Sequence, residues 1–459
     1  MRKIFLAAAI CFVSCLAALA DHRDQIDALV RPLIEAESLV GCVVGVLEDG
    51  RKDVYSYGRI RRDNDERPDG RTIYEIGSIT KAFTGMLLAD MVERRIVALD
   101  APIKEVLPPE IKVPVVNEQP ITLLHLATHT SGLPRLPTNM RPDVPNPYAS
   151  YSRELMYAFL NGLQLQRAPG EYEYSNYGMG LLGQILSDQA GKSYESLIVE
   201  RICDPLGMND TRMTLNEEQR ARLAPPYNGQ GDAEHNWVFQ SIAGAGALRS
   251  TCDDQLELLV AALSEDDTPV VRAIHKSWDQ QHGTPTEGGM GLGWHISPGG
   301  VGRWHNGQTG GYSSFLAVHP PKRIGLVVLT NTATDLTTEL GAKILRTTLG
   351  MKQEPIAVRK SIKVDADVLK KYAGTYLLAP LFWITVTVED GRLMAQATGQ
   401  EKFQLFAESE TKFFYKVVDA QITLVENDDG EIGKLILHQN GKDLPGVKLP
   451  ALGTSTSPR

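Results

Sequence analysis

The sequence predicts a mixed α/β (α+β) chain. It comprises an antiparallel sheet with helices and an all-helical subdomain, followed by a small C-terminal all-β barrel. Three observations carry that reading. Strand-like runs at both ends of the first 350 residues flank a helix-rich middle. A polar stretch with no clear period, 351–364, then breaks the pattern and reads as a linker. Beyond it come short alternating runs separated by turn signals. At 459 residues the chain is long enough for more than one core.

The elements follow in order. Arg2 and Lys3 precede the apolar stretch "IFLAAAICFVSCLAALA", which ends at Ala18-Leu19-Ala20. This is the pattern of a secretory leader over 1–20, cleaved before Asp21, with a mature protein that is periplasmic or secreted. Lipid attachment at Cys15 in "FVSC" fits less well, because Phe12 is a poor match to such a site. No later stretch approaches the roughly 20 apolar residues of a membrane span. Loss of the leader removes two cations and no acid, taking the net charge from −9 to −11. Without a basic run, nucleic acid and anionic membranes are not expected partners. Cys42, Cys203 and Cys252 remain, an odd number that allows at most one disulfide, Cys203 with Cys252; three buried thiols are the simpler expectation.

Within a first domain over 21–350, Ile26, Leu29, Val30, Leu33 and Ile34 fall at helical spacing. "VGCVVGVLEDGRKDVYSYGRI" reads as two strands joined at Asp49-Gly50. Ser78 opens a helix whose Phe83, Met86, Leu87 and Met91 share a face. Residues 99–225 are helix-rich with Pro- and Gly-marked loops. Strands return at "GMGLGWHI" (289–296), "YSSFLAVHP" and "RIGLVVLTN", and a helix closes the domain from about Asp335 to Leu349. In the second domain, 365–450, the runs "FWITVTV", "RLMAQAT", "FFYKVV", "AQITLV" and "KLILHQ" are set apart by Asp390-Gly391, Asp429-Gly430 and Asn440-Gly441. Residues 451–459 are a tail.

Chemistry centres on "IYEIGSITKAFTG", where Ser78 precedes Lys81 by three residues. At a helix start that spacing returns the amine to the face of the hydroxyl. A serine becomes nucleophilic only when a base takes its proton, and a lysine is such a base only when burial or nearby positive charge lowers its pKa. A second S-x-x-K, Ser409 with Lys412, lies between strand runs with no helix to align it, and about one or two matches arise by chance in a chain this long. Two further stretches offer partners. Tyr174 and Asn176 in "PGEYEYSNYGMGLLG" supply a phenol for proton relay and an amide for substrate binding. In "WHNGQTGGYSSF", His305, Gly307 and Gln308 lead along a strand whose glycines admit close backbone approach.

Together "SITK", "YSN" and "HNG" resemble, in order and spacing, the serine β-lactamase and penicillin-binding-protein family, in the branch of class C β-lactamases, D,D-peptidases, D-aminopeptidases and related esterases. "ITLLHLATHTSGLPRLP", "DPLGMNDT", "GLGWHI" and "GLVVLTN" also look like that family, and the likeness spans about 26–349. The resemblance implies a β-lactamase-like fold for the first domain. It implies that Ser78 is acylated, Lys81 is its base and Tyr174 relays the proton. By the same likeness Asn176 binds the substrate amide, His305 replaces the third-motif cation, and the backbone N–H groups of Ser78 and Gln308 form an oxyanion hole. Histidine rather than lysine in the third motif, and Leu136 where many class C enzymes carry glutamine, turn the expectation from a dedicated β-lactamase to an exported hydrolase of D-amino-acid peptides (D,D-carboxypeptidase or D-aminopeptidase type) that is also acylated by β-lactams. A carboxylesterase, a class C-like β-lactamase and a non-catalytic peptide- or penicillin-binding protein are the alternatives.

No cofactor or metal is indicated. His125 and His129 in "HLATH" lack the glutamate of H-E-x-x-H and read as packing residues, G-x-S-x-G is absent, and "GAGALR" and "GMGLGW" lack a dinucleotide-binding context. The C-terminal strands look like the lipocalin-like domain appended to some members of the family, which implies ligand binding, active-site capping or oligomerisation.

Overall fold

The computed structural model describes residues 22–141, 146–416, 418, 420–427, 429–439 and 441–450. The expected leader, with Cys15, and the tail lie outside them. Helix α1 (22–35) buries Ile26, Leu29, Val30 and Leu33 and leaves Ile34, the fifth residue whose spacing predicts it, half-buried. Strands β1 (Gly41–Glu48) and β2 (Arg51–Gly58) meet at Asp49 and Gly50, with φ of 49° and 84°. Two positive φ angles are what a two-residue type I′ hairpin requires.

Strand β3 (Tyr74–Glu75) leads into α2 (Thr80–Glu93). The helical middle holds α3 (Ile103–Val106), α4 (Leu123–Ala127), α5 (Arg153–Gly162), α6 (Asn176–Ala190), α7 (Tyr194–Ile198), α8 (Asp204–Leu206) and α9 (Glu217–Ala221). Then come β4 (Arg249–Ser250), which pairs with β3, and helices α10 (Cys252–Ala262) and α11 (Pro269–Ser277). Strands β5 (His282–Thr284), β6 (Gly288–Met290), β7 (His295–Ile296), β8 (Arg303–Gln308), β9 (Ser313–His319) and β10 (Ile324–Thr330) precede α12 (Leu336–Thr348). The main sheet is antiparallel in the order β2-β1-β10-β9-β8-β7-β6-β5. Thus the first hairpin pairs with the last strand, across almost 300 residues of intervening chain, with Cys42 opposite Thr330. Residues Thr80 to Met91 of α2 are all buried, as expected of a helix apolar on nearly every side.

One expected strand is broken. Residues 289–296 form two short strands, because Gly291 N–H bonds to Trp294 O (2.9 Å), Leu292 N–H to Ser277 O (2.8 Å) and Gly293 N–H to Ala127 O (3.0 Å). The break lies against α2, where a Cβ on Gly85 would stand 1.8 Å from Leu292 O.

The described chain divides into two compact units, 22–34 with 39–356 and 35–38 with 357–450, and the main boundary at 356–357 falls within the stretch read as a linker. The second contains α13 (Ala366–Tyr372) and a closed barrel, β11 (Gly374–Ala379), β12 (Phe382–Glu389), β13 (Arg392–Ala397), β14 (Lys402–Ala407), β15 (Lys412–Phe414), β16 (Ala420–Glu426), β17 (Ile432–Gln439) and β18 (Lys442–Lys448), paired in chain order. Its interior is filled by side chains, among them Tyr376, Ile384, Leu393, Phe413, Ile422 and Leu435, with Leu369 and Tyr372 of α13 in the same core. The sequence runs leave β11, β14 and β18 unmarked; β18 carries Pro445 and Gly446, residues that ordinarily argue against a strand. No helix among the described residues is long and apolar enough to cross a membrane.

Candidate active site

Ser78 occupies a 3₁₀ turn, Gly77–Ile79, that runs directly into α2. Its side chain makes no helix-capping hydrogen bond. The turn is clasped to the end of β8. Gly77 has φ 49°, and a Cβ there would sit 2.7 Å from Gln308 N; a Cβ on Gly307 would sit 2.0 Å from Ile76 O. Ser314 Oγ donates to Ile76 O (2.8 Å) and Ile76 N–H to Leu248 O (3.0 Å). These two glycines let the backbones of Ser78 and Gln308 come together. Strand β7 pairs with β8 at Arg303 and Trp304, and among the described residues no strand pairs with the stretch 305–308 along that edge.

Lys81 is completely buried in the first turn of α2. Its Nζ donates to Ser78 Oγ (2.8 Å) and to Ala245 O (2.6 Å), both neutral oxygens. Burial, with the nearby charge of Arg135 second, holds its pKa well below the usual lysine range. The amine is therefore driven toward the neutral form that accepts a proton.

Tyr174 faces this pair, with Lys81 Nζ 4.8 Å from its ring centroid. Burial raises the phenol's pKa, and the neighbouring Ser78 hydroxyl partly offsets this; the group stays protonated near neutrality. Ser175 caps α6 by accepting from Gly178 N–H (2.8 Å) and donates to Pro134 O (2.7 Å). Asn176, the first residue of α6, has a buried Oδ1 without a partner among the described residues. His129 stacks on Tyr174 at 4.4 Å, and its Nδ1 accepts from Ser175 N–H (3.1 Å).

The surroundings of His305 work against the cationic form that the family resemblance implies. The ring is fully buried, and burial first, with His295 and Lys81 next, pushes its pKa well below the ordinary value. Its Nδ1 lies 2.6 Å from the Asn306 carbonyl, an acceptor, so that nitrogen carries the proton and leaves Nε2 bare. His305 is thus a neutral acceptor. His295, 4.9 Å away ring to ring, is lowered to about 4 for the same reason, burial.

Thus Ser78, Lys81, Tyr174, His305, Gly307 and Gln308 converge, with Asn176 adjoining. Sequence reasoning missed several neighbours. Ala245 O anchors Lys81. Tyr148, Trp237 and Phe239 form an aromatic cluster, with ring centroids 4.4–6.1 Å apart, beside Asn176 and Gly246. Arg135 lies 5.2 Å over the Tyr174 ring, on the face shown by no periodicity in its loop. His125 and His129 are used apart, the first inside a capping box with Thr122. Ser409 and Lys412 meet through the backbone of a turn, Ser409 N–H to Lys412 O (3.1 Å) and Lys412 N–H to Ser409 Oγ (3.1 Å). Cys42, Cys203 and Cys252 are free, buried thiols.

Comparison with known proteins adds the following. The Beta-lactamase family model matches residues 26–347, and that of a Domain of unknown function, DUF3471, matches 358–448. The D-alanyl-D-alanine-carboxypeptidase/endopeptidase AmpH of Escherichia coli (strain K12) is 29% identical over 323 residues, which span 67% of this chain and 83% of that protein. Penicillin-binding protein 4* of Bacillus subtilis (strain 168) is 26% identical over 460 residues, spanning 93% of this chain and 99% of its own. A solved beta-lactamase/D-alanine carboxypeptidase from Yersinia pestis has a TM-score of 0.63 at 26% identity, over 72% of this chain and 98% of that one.

Proposed function

This chain belongs to the beta-lactamase family and is a serine hydrolase, and from that premise we propose that it is an exported enzyme that cleaves D-amino-acid peptides through an acyl-enzyme on Ser78 and is acylated by β-lactams. The observation that carries the proposal is Lys81 Nζ, buried, 2.8 Å from Ser78 Oγ and without a carboxylate partner among the described residues. The similarity to AmpH, a D-alanyl-D-alanine-carboxypeptidase/endopeptidase, supports the substrate class.

In this reading neutral Lys81 takes the Ser78 proton as Oγ attacks the scissile carbonyl carbon. The backbone N–H groups of Ser78 and Gln308, held together by the Gly77–Gly307 approach, receive the developing oxyanion. Tyr174 delivers a proton to the leaving amine as the C–N bond breaks. Water then attacks the ester, losing its proton to the same Tyr174–Lys81 pair, and Ser78 Oγ departs with a proton. Asn176 Oδ1 accepts from a substrate amide. The export part of the proposal rests on the leader-like pattern of residues 1–20.

A labelled penicillin tests this. Covalent label is expected on Ser78 and is expected to vanish in Ser78→Ala; equal labelling of the variant refutes the assignment. A parallel assay with a chromogenic cephalosporin, a short-chain nitrophenyl ester and peptides ending in D-alanine or beginning with a D-residue tests the substrate class. Turnover of the ester alone would exclude the peptidase reading.

A further inference from the structure

His305 is buried with its Nδ1 turned to the Asn306 carbonyl, and burial biases both it and Lys81 toward their neutral forms, so neither is suited to act as the third-motif cation. Arg135 is an exposed cation whose guanidinium lies 5.2 Å over the ring of Tyr174. We propose that Arg135 is the group that recognises the substrate's free carboxylate, which makes this enzyme a carboxypeptidase-type hydrolase rather than one that reads a substrate ammonium. The inference rests on the Ser78 reading above and names the substrate class of that same site.

The backbone of Arg135 is fixed while its guanidinium is available. Arg135 O accepts from Asn176 N–H (3.0 Å) and Tyr177 N–H (3.2 Å), and the preceding Pro134 O accepts from Ser175 Oγ. The residue is therefore tied to the segment that carries Tyr174 and Asn176. Its side chain is exposed and lies against the face of Tyr174, at 5.2 Å from the ring centroid. Among the described residues no hydrogen bond or ion pair engages the guanidinium. Other arginines of this unit are engaged, Arg249 with Glu75 at 3.3 Å, and Arg167 with Glu171 at 3.2 Å and with Glu173. Lys81 Nζ and the Arg135 guanidinium both address the Tyr174 ring, at 4.8 and 5.2 Å, so they are at most 10.0 Å apart.

That placement suits the chemistry. A peptide's terminal carboxylate lies one residue past the scissile carbonyl, roughly 3.8 Å further along the chain. A guanidinium offers two parallel N–H donors matched to a carboxylate. Its charge also reaches the catalytic groups: after burial it adds to the lowering of Lys81 and His129, and it opposes the burial that raises the Tyr174 phenol. A substrate ammonium in the same place would meet repulsion.

The test compares wild type with Arg135→Gln and Arg135→Lys on two matched pairs. One pair is a labelled penicillin and its methyl ester, read as the rate of Ser78 acylation. The other is an N-acetyl peptide ending in D-Ala-D-Ala and its C-terminal amide, read as kcat/KM. Wild type is expected to prefer the free acid about 10- to 100-fold, the scale of one hydrogen-bonded ion pair. The preference should fall to within about twofold in Arg135→Gln, mainly through KM, and should survive in part in Arg135→Lys, whose ammonium keeps the charge but not the fork. An unchanged preference in Arg135→Gln, or none in wild type, overturns the proposal. Thermal melts check folding; if Arg135→Gln is unstable, Arg135→Lys decides alone, since an undiminished preference there is equally fatal. Failure of wild type to acylate with either penicillin would instead strike the Ser78 assignment.

Discussion

A lysine enclosed with two neutral oxygens for partners, as Lys81 is, is costly to fold in its charged form, so folding drives the amine to release its proton. The sign of the linkage follows. Lys81 has a folded pKa below its unfolded value of about 10.4, so the unfolded chain binds the extra proton and stability rises with pH between the two values. Lys81→Met, apolar and of similar volume, is expected to melt above wild type near pH 7, with the advantage shrinking toward pH 10. The same variant should lose Ser78 acylation by about 10²- to 10⁴-fold, the usual scale for an absent general base. A variant that melted lower at pH 7 yet still acylated would contradict both arguments. For the wild type, kcat/KM should fall as pH drops through the depressed Lys81 pKa, which lies below the ordinary lysine value because the amine is buried. Tyr174→Phe should lower kcat with KM little changed, because its phenol is read as relaying a proton rather than binding substrate.

The turn and helix starts are what aim these groups. Gly77 combines a φ of 49° with a gap too small for a Cβ beside Gln308 N. Gly77→Ala is expected to destabilise the fold by about 1–3 kcal/mol and to slow acylation by roughly 10²- to 10³-fold through a displaced oxyanion hole. Thermal melts and penicillin acylation rates read the two effects separately. Ser175 joins two functions, capping α6 and tying the Pro134 carbonyl, and with it the backbone leading into Arg135, to the start of that helix. Ser175→Ala should cost about 1 kcal/mol of stability and should also reduce the acid-over-amide preference. A stability loss with that preference intact would show that the Pro134 tether does not matter to Arg135. At this scale the sequence was legible wherever local rules sufficed. The Asp49-Gly50 turn, α1 and the start of α2 are local events, fixed by φ preference and spacing. The 289–296 stretch was misread because its hydrogen bonds go to Ser277 and Ala127, partners that no local pattern announces.

Across the whole chain, the hydrolase unit and the barrel each have a core of their own. Calorimetry should therefore resolve two unfolding transitions, and acylation of Ser78 by a penicillin should move only that of the first unit. A single transition shifted as a whole would refute thermodynamic independence. The barrel interior is packed with side chains, which leaves little room for the ligand-binding role the lipocalin-like resemblance allows.

The sequence by itself determined the family, the two-part division and the three motifs that supply Ser78, Lys81, Tyr174, Asn176 and His305. These are matters of residue type, order and short-range spacing. Only the tertiary structure decided their electrostatic states. It is burial, a property of neighbours from distant parts of the chain, that neutralises His305 and depresses Lys81. It is likewise the folding of the 130s loop onto the start of α6 that sets Arg135, an unremarked residue of "HTSGLPRLP", above Tyr174. Charge in a protein site depends on what surrounds a group, and the chain order does not record that.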